Sequence, residues 1–165
     1  MLNNFARKLP ADFFVPFGFG FFDCAPDKVK QWLLVNVMVY DGLPLAAVQA
    51  LLARETGQPV TRLTPADCEF QSPQAFEEFL ARGVAAKKSM VVLNFDRRVV
   101  GQRGSGHFAP VGALARDEDG TWVLLLDVNS WRYPHVWARI DLVWTAVCAL
   151  NPRGDPRGAL LVGSQ

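Results

Sequence analysis

Apolar residues recur at helical spacing in three stretches of the chain and bunch into short runs elsewhere. Leu45, Val48, Leu51 and Leu52 form one stripe, with Pro44 in the first helical position and Gly57 as a stop. Phe76, Phe79 and Leu80 form a second, opened by Ser72 as N-cap with Pro73 behind it and ended by Gly83. Leu142, Val143, Ala146, Val147 and Leu150 predict a third helix. Residues 90–95, 108–114 and 122–128 are short apolar runs separated by turn clusters, which predicts strands. The last two form a hairpin turning at Asp117-Glu118-Asp119-Gly120. Residues 61–63 add a short strand and 159–162 a closing one. Helices followed by antiparallel strands predict an α+β fold. The first 26 residues carry Phe13, Phe14, Phe17, Phe19, Phe21 and Phe22 among glycines and prolines and read as aromatic-anchored loop. Asp27 is placed to cap a short helix reaching Trp32 or Leu34.

Composition narrows the field. A chain of 165 residues, half of them hydrophobic, is one domain (1–165) with enough apolar material for a core. Its 17 basic and 16 acidic residues leave a net charge of +1, which argues against a nucleic-acid partner. The apolar stretch from Leu33 to Tyr40 is interrupted by Asn36, far short of the roughly 18 residues of a membrane span. The N-terminus lacks the basic-then-apolar layout of a secretory signal, and the compartment, cytoplasmic or periplasmic, stays unknown. Cys24, Cys68 and Cys148 are odd in number and contain no CxxC pair, so neither a disulfide framework nor a zinc site is expected.

The chemistry centres on His107. In Gly104-Ser105-Gly106-His107-Phe108-Ala109-Pro110 a glycine-rich turn delivers a histidine to the start of an apolar strand. Asp127 ends the run Val123-Leu124-Leu125-Leu126, and a hairpin of that length sets the two side by side. A carboxylate beside a histidine fixes the tautomer and stabilises the imidazolium formed in proton transfer. Spacing alone leaves a buried polar pair closing the hairpin as an alternative.

The surrounding words carry a resemblance. Asn94-Phe95-Asp96-Arg97, Gly101-Gln102, Gly106-His107-Phe108-Ala109-Pro110, Leu126-Asp127-Val128, Tyr133-Pro134 and Val136-Trp137 resemble the catalytic domain of phytochelatin synthase. The match runs in register from about residue 42 to 162. It implies a papain-like fold, a helical lobe facing a sheet lobe, with a Cys-His-Asp triad between them. His107 and Asp127 take the last two places. The family's cysteine opens the first helix, ahead of a segment whose tail resembles Met1-Leu2-Asn3-Asn4, so the resemblance places the nucleophile before Met1. Truncation or loss of that residue both fit, and the chain as written is expected to be inactive. Cys24 precedes Ala25-Pro26-Asp27 at a helix start and is the substitute to weigh. Cys68 falls in a connector and Cys148 in an apolar helix.

Arg97 matches the family's substrate-contacting arginine, and Arg157 a second one across a one-residue gap. A guanidinium fork suits the free α-carboxylate of a γ-glutamyl group. Asn94 orients substrate or caps a turn, and His135 is expected at the surface. The implied reaction is glutathione cleavage: a thiolate attacks the Cys–Gly carbonyl, glycine leaves, and the γ-glutamylcysteinyl group passes to a second glutathione or to water. No cofactor and no metal ligand set is implied; heavy metals such as cadmium act as glutathione thiolate complexes. The partners are therefore glutathione and metal–glutathione thiolates, with a homodimer compatible and no cysteine-rich C-terminal domain. The rivals are a C39-like papain-fold cysteine peptidase, which usually continues Asp-Pro after its aspartate, and a non-catalytic γ-glutamyl-peptide-binding remnant.

Overall fold

The computed structural model describes residues 43–86, 88–127 and 134–163. In chain order these form α1 (Leu45–Thr56), β1 (Val60–Leu63), a 3-10 turn (Cys68–Phe70), α2 (Pro73–Ala85), β2 (Met90–Asp96) and β3 (Gly106–Asp117). Then follow β4 (Gly120–Leu125), β5 (Val136–Arg139), α3 (Ile140–Cys148) and β6 (Gly158–Val162). The expected α+β architecture is present: among the described residues, three helices pack on an antiparallel six-stranded sheet of order β1-β6-β2-β3-β4-β5. The proposed helix after Asp27 lies outside the described residues, as do Val128 and Tyr133.

Local chemistry explains most element boundaries. Pro44 is the N-cap of α1, one place before the expected position, and Gly57 ends the helix at φ 64°, a left-handed turn that glycine enters without a Cβ clash. Ser72 caps α2, its hydroxyl oxygen accepting from the Ala75 N–H at 3.1 Å, with Pro73 behind it. Gly83 does not end α2. The helix runs on to Ala85, and Gly83 is the point where it seats on β2, since a Cβ there would collide with Val91. The third predicted stripe is also corrected. α3 buries Val143, Ala146 and Val147, whereas Leu142 is 43% exposed, and Leu150 lies beyond the helix at 60% exposure.

Helices cover both faces of the sheet. On one face α2 and α3 bury Phe76, Phe79, Leu80, Val143 and Val147 against Val91, Leu93, Phe95 and Ala109. The Phe70, Phe76 and Phe79 rings cluster with centroids 5.2 to 6.3 Å apart, and the Trp144 indole N–H ties α3 to the Phe70 carbonyl at 2.9 Å. On the other face α1 sets Leu45 and Val48 against Val92 and Leu160.

β3 organises everything else. Its first half pairs with β2, with Phe95 opposite His107 and Asp96 opposite Gly106. Its second half pairs with β4 through the expected hairpin, which turns between Asp117 and Gly120. The hairpin slips by one residue at Gly112: Leu114 faces Val123 and Ala113 faces Leu124, but Val111 faces Leu125. Such a bulge exchanges the faces of every residue beyond it. Without it Pro110 would face Asp127, on the wrong side of the strand. With it Pro110 faces Leu126, whose N–H reaches the Pro110 carbonyl at 2.9 Å, and Asp127 falls on the side of Ala109 and His107. Glycine suits the slip because a Cβ on Gly112 would stand 2.9 Å from the Leu126 side chain and force it to shift.

Core and cap should separate cleanly in stability measurements. Phe79→Ala removes a ring that is 1% exposed and is expected to cost about 3–5 kcal/mol, and Ser72→Ala about 1 kcal/mol. Urea unfolding of the two variants beside the parent checks both the order and the sizes.

Candidate active site

His107 stands at the second position of β3, where the Gly104-Ser105-Gly106 turn ends. Its ring meets Phe95 edge-on, at 5.9 Å and 82°, which fixes its side of the strand. Its Nε2 lies 3.2 Å from Asp127 Oδ1. With the proton on Nε2 that nitrogen donates to the carboxylate, and Nδ1 is left as the base. The histidine side chain keeps 16% of its surface, while that of Asp127 keeps 3%.

The second oxygen of Asp127 belongs to Arg97. Nη2 of Arg97 donates to Asp127 Oδ2 at 2.6 Å, and both side chains are buried. Nη1 of Arg97 donates to Gln102 Oε1 at 3.0 Å. The loop of residues 97–105 folds back on the same residue: the Arg97 N–H reaches the Ser105 carbonyl at 3.0 Å and the Gln102 N–H reaches the Arg97 carbonyl at 2.9 Å. Gly104, at φ 109°, lets the backbone turn directly over the arginine stem. Arg97, expected from the resemblance to grip a substrate carboxylate, has these two donors directed at the protein's own groups.

Asn94 and Arg157 are brought together, but apart from this cluster. Strand alternation puts Asn94 and Asp96 on the opposite side of β2 from Phe95, and therefore from His107. Arg157, just before β6, lies on that same side, over Gly106, where a Cβ would collide with its Nη1. Its Nη1 donates to Asn94 Oδ1 at 3.2 Å. Arg157 is 3% exposed, and its Nε and Nη2 are buried with no hydrogen-bond partner among the described residues. Burial works against the Arg157 charge, and the Asp96 carboxylate opposes that effect. Sequence reasoning passed over Asp96. It is 4% exposed, its Oδ2 is 4.0 Å from Arg157 Nη2, and Arg98 clasps both of its oxygens from the surface. The hydrogen bond from Arg98 holds the Asp96 carboxyl below the usual carboxylate range.

The thiols of the described residues are poorly placed for nucleophilic work. Cys68 is exposed in the 3-10 turn and donates to Glu69 Oε2 at 3.1 Å, and that hydrogen bond and the glutamate's charge push its pKa up. Burial pushes up that of Cys148, the last residue of α3, packed on the main core. Cys24 lies outside the described residues. His135, expected at the surface, is half-buried before β5. Among the described residues no three His, Cys, Asp or Glu side chains group as a metal site.

Two tests follow from these charges. Arg97→Ala strands a buried carboxylate and is expected to cost about 3–5 kcal/mol in urea unfolding at neutral pH, with Arg97→Lys recovering only part of it. Asp96 has a depressed folded-state pKa, so its contribution is complete above the unfolded-state value of about 3.9 and is lost as pH falls through the folded value. The stability gap between the parent and Asp96→Asn should accordingly be constant from pH 7 to 5 and shrink on further acidification.

Comparison with known proteins gives this geometry its context. The family model for phytochelatin synthase matches residues 21–159. A glutathione gamma-glutamylcysteinyltransferase of Schizosaccharomyces pombe is 30% identical over 92 residues, 53% of this chain and 22% of that protein. Glutathione gamma-glutamylcysteinyltransferase 1 of Arabidopsis thaliana is 30% identical over 88 residues, covering 53% of this chain and 18% of the enzyme. The corresponding enzyme 1 of Triticum aestivum is 31% identical over 88 residues, again 53% of this chain and 17% of the relative. The chain thus spans between 17% and 22% of the length of these relatives. With the matched segment covering most of its length, and His107, Asp127 and Arg97 drawn together within it, the chain belongs to the phytochelatin synthase family.

Proposed function

We propose that this domain carries the acid–base and recognition parts of a glutathione gamma-glutamylcysteinyltransferase site. The observation that carries the reading is the contact between His107 Nε2 and a buried, Arg97-paired Asp127, which leaves Nδ1 to serve a thiol. In the reaction, Nδ1 takes the proton of a cysteine thiol and the thiolate attacks the Cys–Gly carbonyl carbon. The amide C–N bond breaks, glycine leaves with the proton held by His107, and a γ-glutamylcysteinyl thioester remains. A second glutathione, or water, then gives up a proton to His107 and takes the acyl group. Asp127 keeps the ring in one tautomer through both half-reactions, and Arg97 acts as a positioning residue for Asp127. The attacking sulfur is neither Cys68 nor Cys148.

Recognition belongs to Arg157 and Asn94. The buried Nε and Nη2 donors of Arg157 suit the α-carboxylate of the γ-glutamyl group, with Asn94 holding the third guanidinium nitrogen. Metal–glutathione thiolates, those of cadmium included, would enter as substrate through the same head group.

The recognition part needs no nucleophile, so it can be read by calorimetric titration with reduced glutathione. Binding is expected to weaken about tenfold or more in Arg157→Ala. No binding by the parent would overturn the proposal. The chemical part is read as glycine released from glutathione. Any release should fall at least about 100-fold in His107→Ala and stay unchanged in Cys68→Ser and Cys148→Ser. Release that persists in His107→Ala sinks the assignment.

A further inference from the structure

The grip on Arg97 extends beyond Asp127, into the loop between β2 and β3. Gln102, five residues on, holds Arg97 twice: its Oε1 accepts from Nη1 at 3.0 Å, and its N–H donates to the Arg97 carbonyl at 2.9 Å. The residues between them are tied down as well. The Val99 N–H reaches the Asp96 carbonyl at 3.2 Å, the Gly101 N–H reaches the Arg98 carbonyl at 3.1 Å, and Val99 and Val100 pack on the main core. Gln102 itself is half-buried, so its amide oxygen reaches Arg97 from a fixed base. The chemistry of the side chains gives that hold a direction. A guanidinium is planar and rigid, so an acceptor fixed on Nη1 also aims Nη2. Nη2 meets Asp127 Oδ2 at 2.6 Å. The carboxylate turns about a broad torsion, and an anchor on one oxygen decides where the other points. That other oxygen, Oδ1, lies 3.2 Å from His107 Nε2.

We propose that Gln102 is a positioning residue for the acid–base pair, acting through Arg97. Its amide oxygen sets the plane of the guanidinium, the guanidinium sets the rotation of the Asp127 carboxylate, and the carboxylate keeps the proton of His107 on Nε2, with Nδ1 as the base. Gln102 touches no reacting atom. The inference rests on the reading of His107 and Asp127 as an acid–base pair and deepens it by naming what holds the pair in register. What the role requires is an acceptor oxygen at the reach of a glutamine side chain, and glutamate supplies one at the same reach. Methionine matches glutamine in length and lack of branching but offers Arg97 only a weakly accepting sulfur.

A competing role for Gln102, as a staple of the loop alone, makes a different prediction. A loop staple affects the opening of the fold, whereas a positioning residue affects the His107 hydrogen bond while the core stays closed. Nuclear magnetic resonance of the whole chain, labelled with 15N and held at one neutral pH, separates the two. The lifetime of the His107 Nε2 proton against exchange with water is read beside that of the Leu93 amide proton, which lies in the core strand β2 and reports global opening. In Gln102→Met the Nε2 proton should exchange about tenfold faster or more with Leu93 changed less than about twofold, and Gln102→Glu should return both to within about twofold of the parent. Gln102→Leu carries the expectation of the methionine variant should that one not fold, and circular dichroism reports folding for each. A Nε2 lifetime unchanged by the substitution, a Leu93 lifetime that falls in step with it, or no recovery in Gln102→Glu overturns the role of Gln102 while leaving the His107–Asp127 pair standing. A parent in which the His107 proton sits on Nδ1 overturns the pair and this inference together.

Discussion

A carboxylate removed from water has to be matched on both oxygens, and Asp127 is. Arg97 supplies a 2.6 Å hydrogen bond to one oxygen and His107 lies 3.2 Å from the other. Taking out Arg97 leaves the carboxylate's charge unanswered, and taking out His107 leaves one oxygen unmatched, in a site with little solvent where the penalty for breaking a pair is far larger than the net worth of forming it. The arrangement therefore holds more than the two side chains. Arg97 also anchors Gln102 and, through its backbone, Ser105, so the β2–β3 loop is folded around the same guanidinium that balances Asp127. Loop, hairpin end and histidine tautomer share one electrostatic solution.

The period of two along a strand then sorts the chemistry. Phe95 and His107 face one way, and Asn94, Asp96 and Gly106 the other. The Arg97–Asp127–His107 cluster and the Arg157–Asn94 contact are thus built from neighbouring residues without competing for partners. The first cluster is closed by short contacts. In the second, Arg157 Nη2 stops 4.0 Å from Asp96 Oδ2.

Much of this was legible in the sequence where a local rule governs. Ser72, Pro73 and Gly57 mark helix ends because caps are short-range chemistry, and the Asp117-to-Gly120 turn marks the hairpin. His107 and Asp127 were legible as a pair because one hairpin connects them. What was not legible depends on distant packing. β5 is four residues long, with two half-buried, one buried and one exposed, too brief for alternation to register. Leu142 and Leu150 fit a helical stripe by spacing, but the contact face of α3 is decided by the sheet beneath it. Nothing local marks Asp96 as interior: Asp96 and Arg97 are buried and only Arg98 reaches solvent, since Arg157 arrives from the far end of the chain to face Asp96 and Asp127 pairs with Arg97.

The slip at Gly112 gives the site an arithmetic character. Whether Asp127 meets His107 depends on an odd or even number of residues between the hairpin turn and the site, not on the identity of most residues counted. Drift in side chains along β3 and β4 leaves that parity intact. Gain or loss of a single residue in either strand reverses it at once, turning the carboxylate to the opposite face of the sheet while every motif still reads correctly. Length, in this hairpin, constrains the site more strictly than composition.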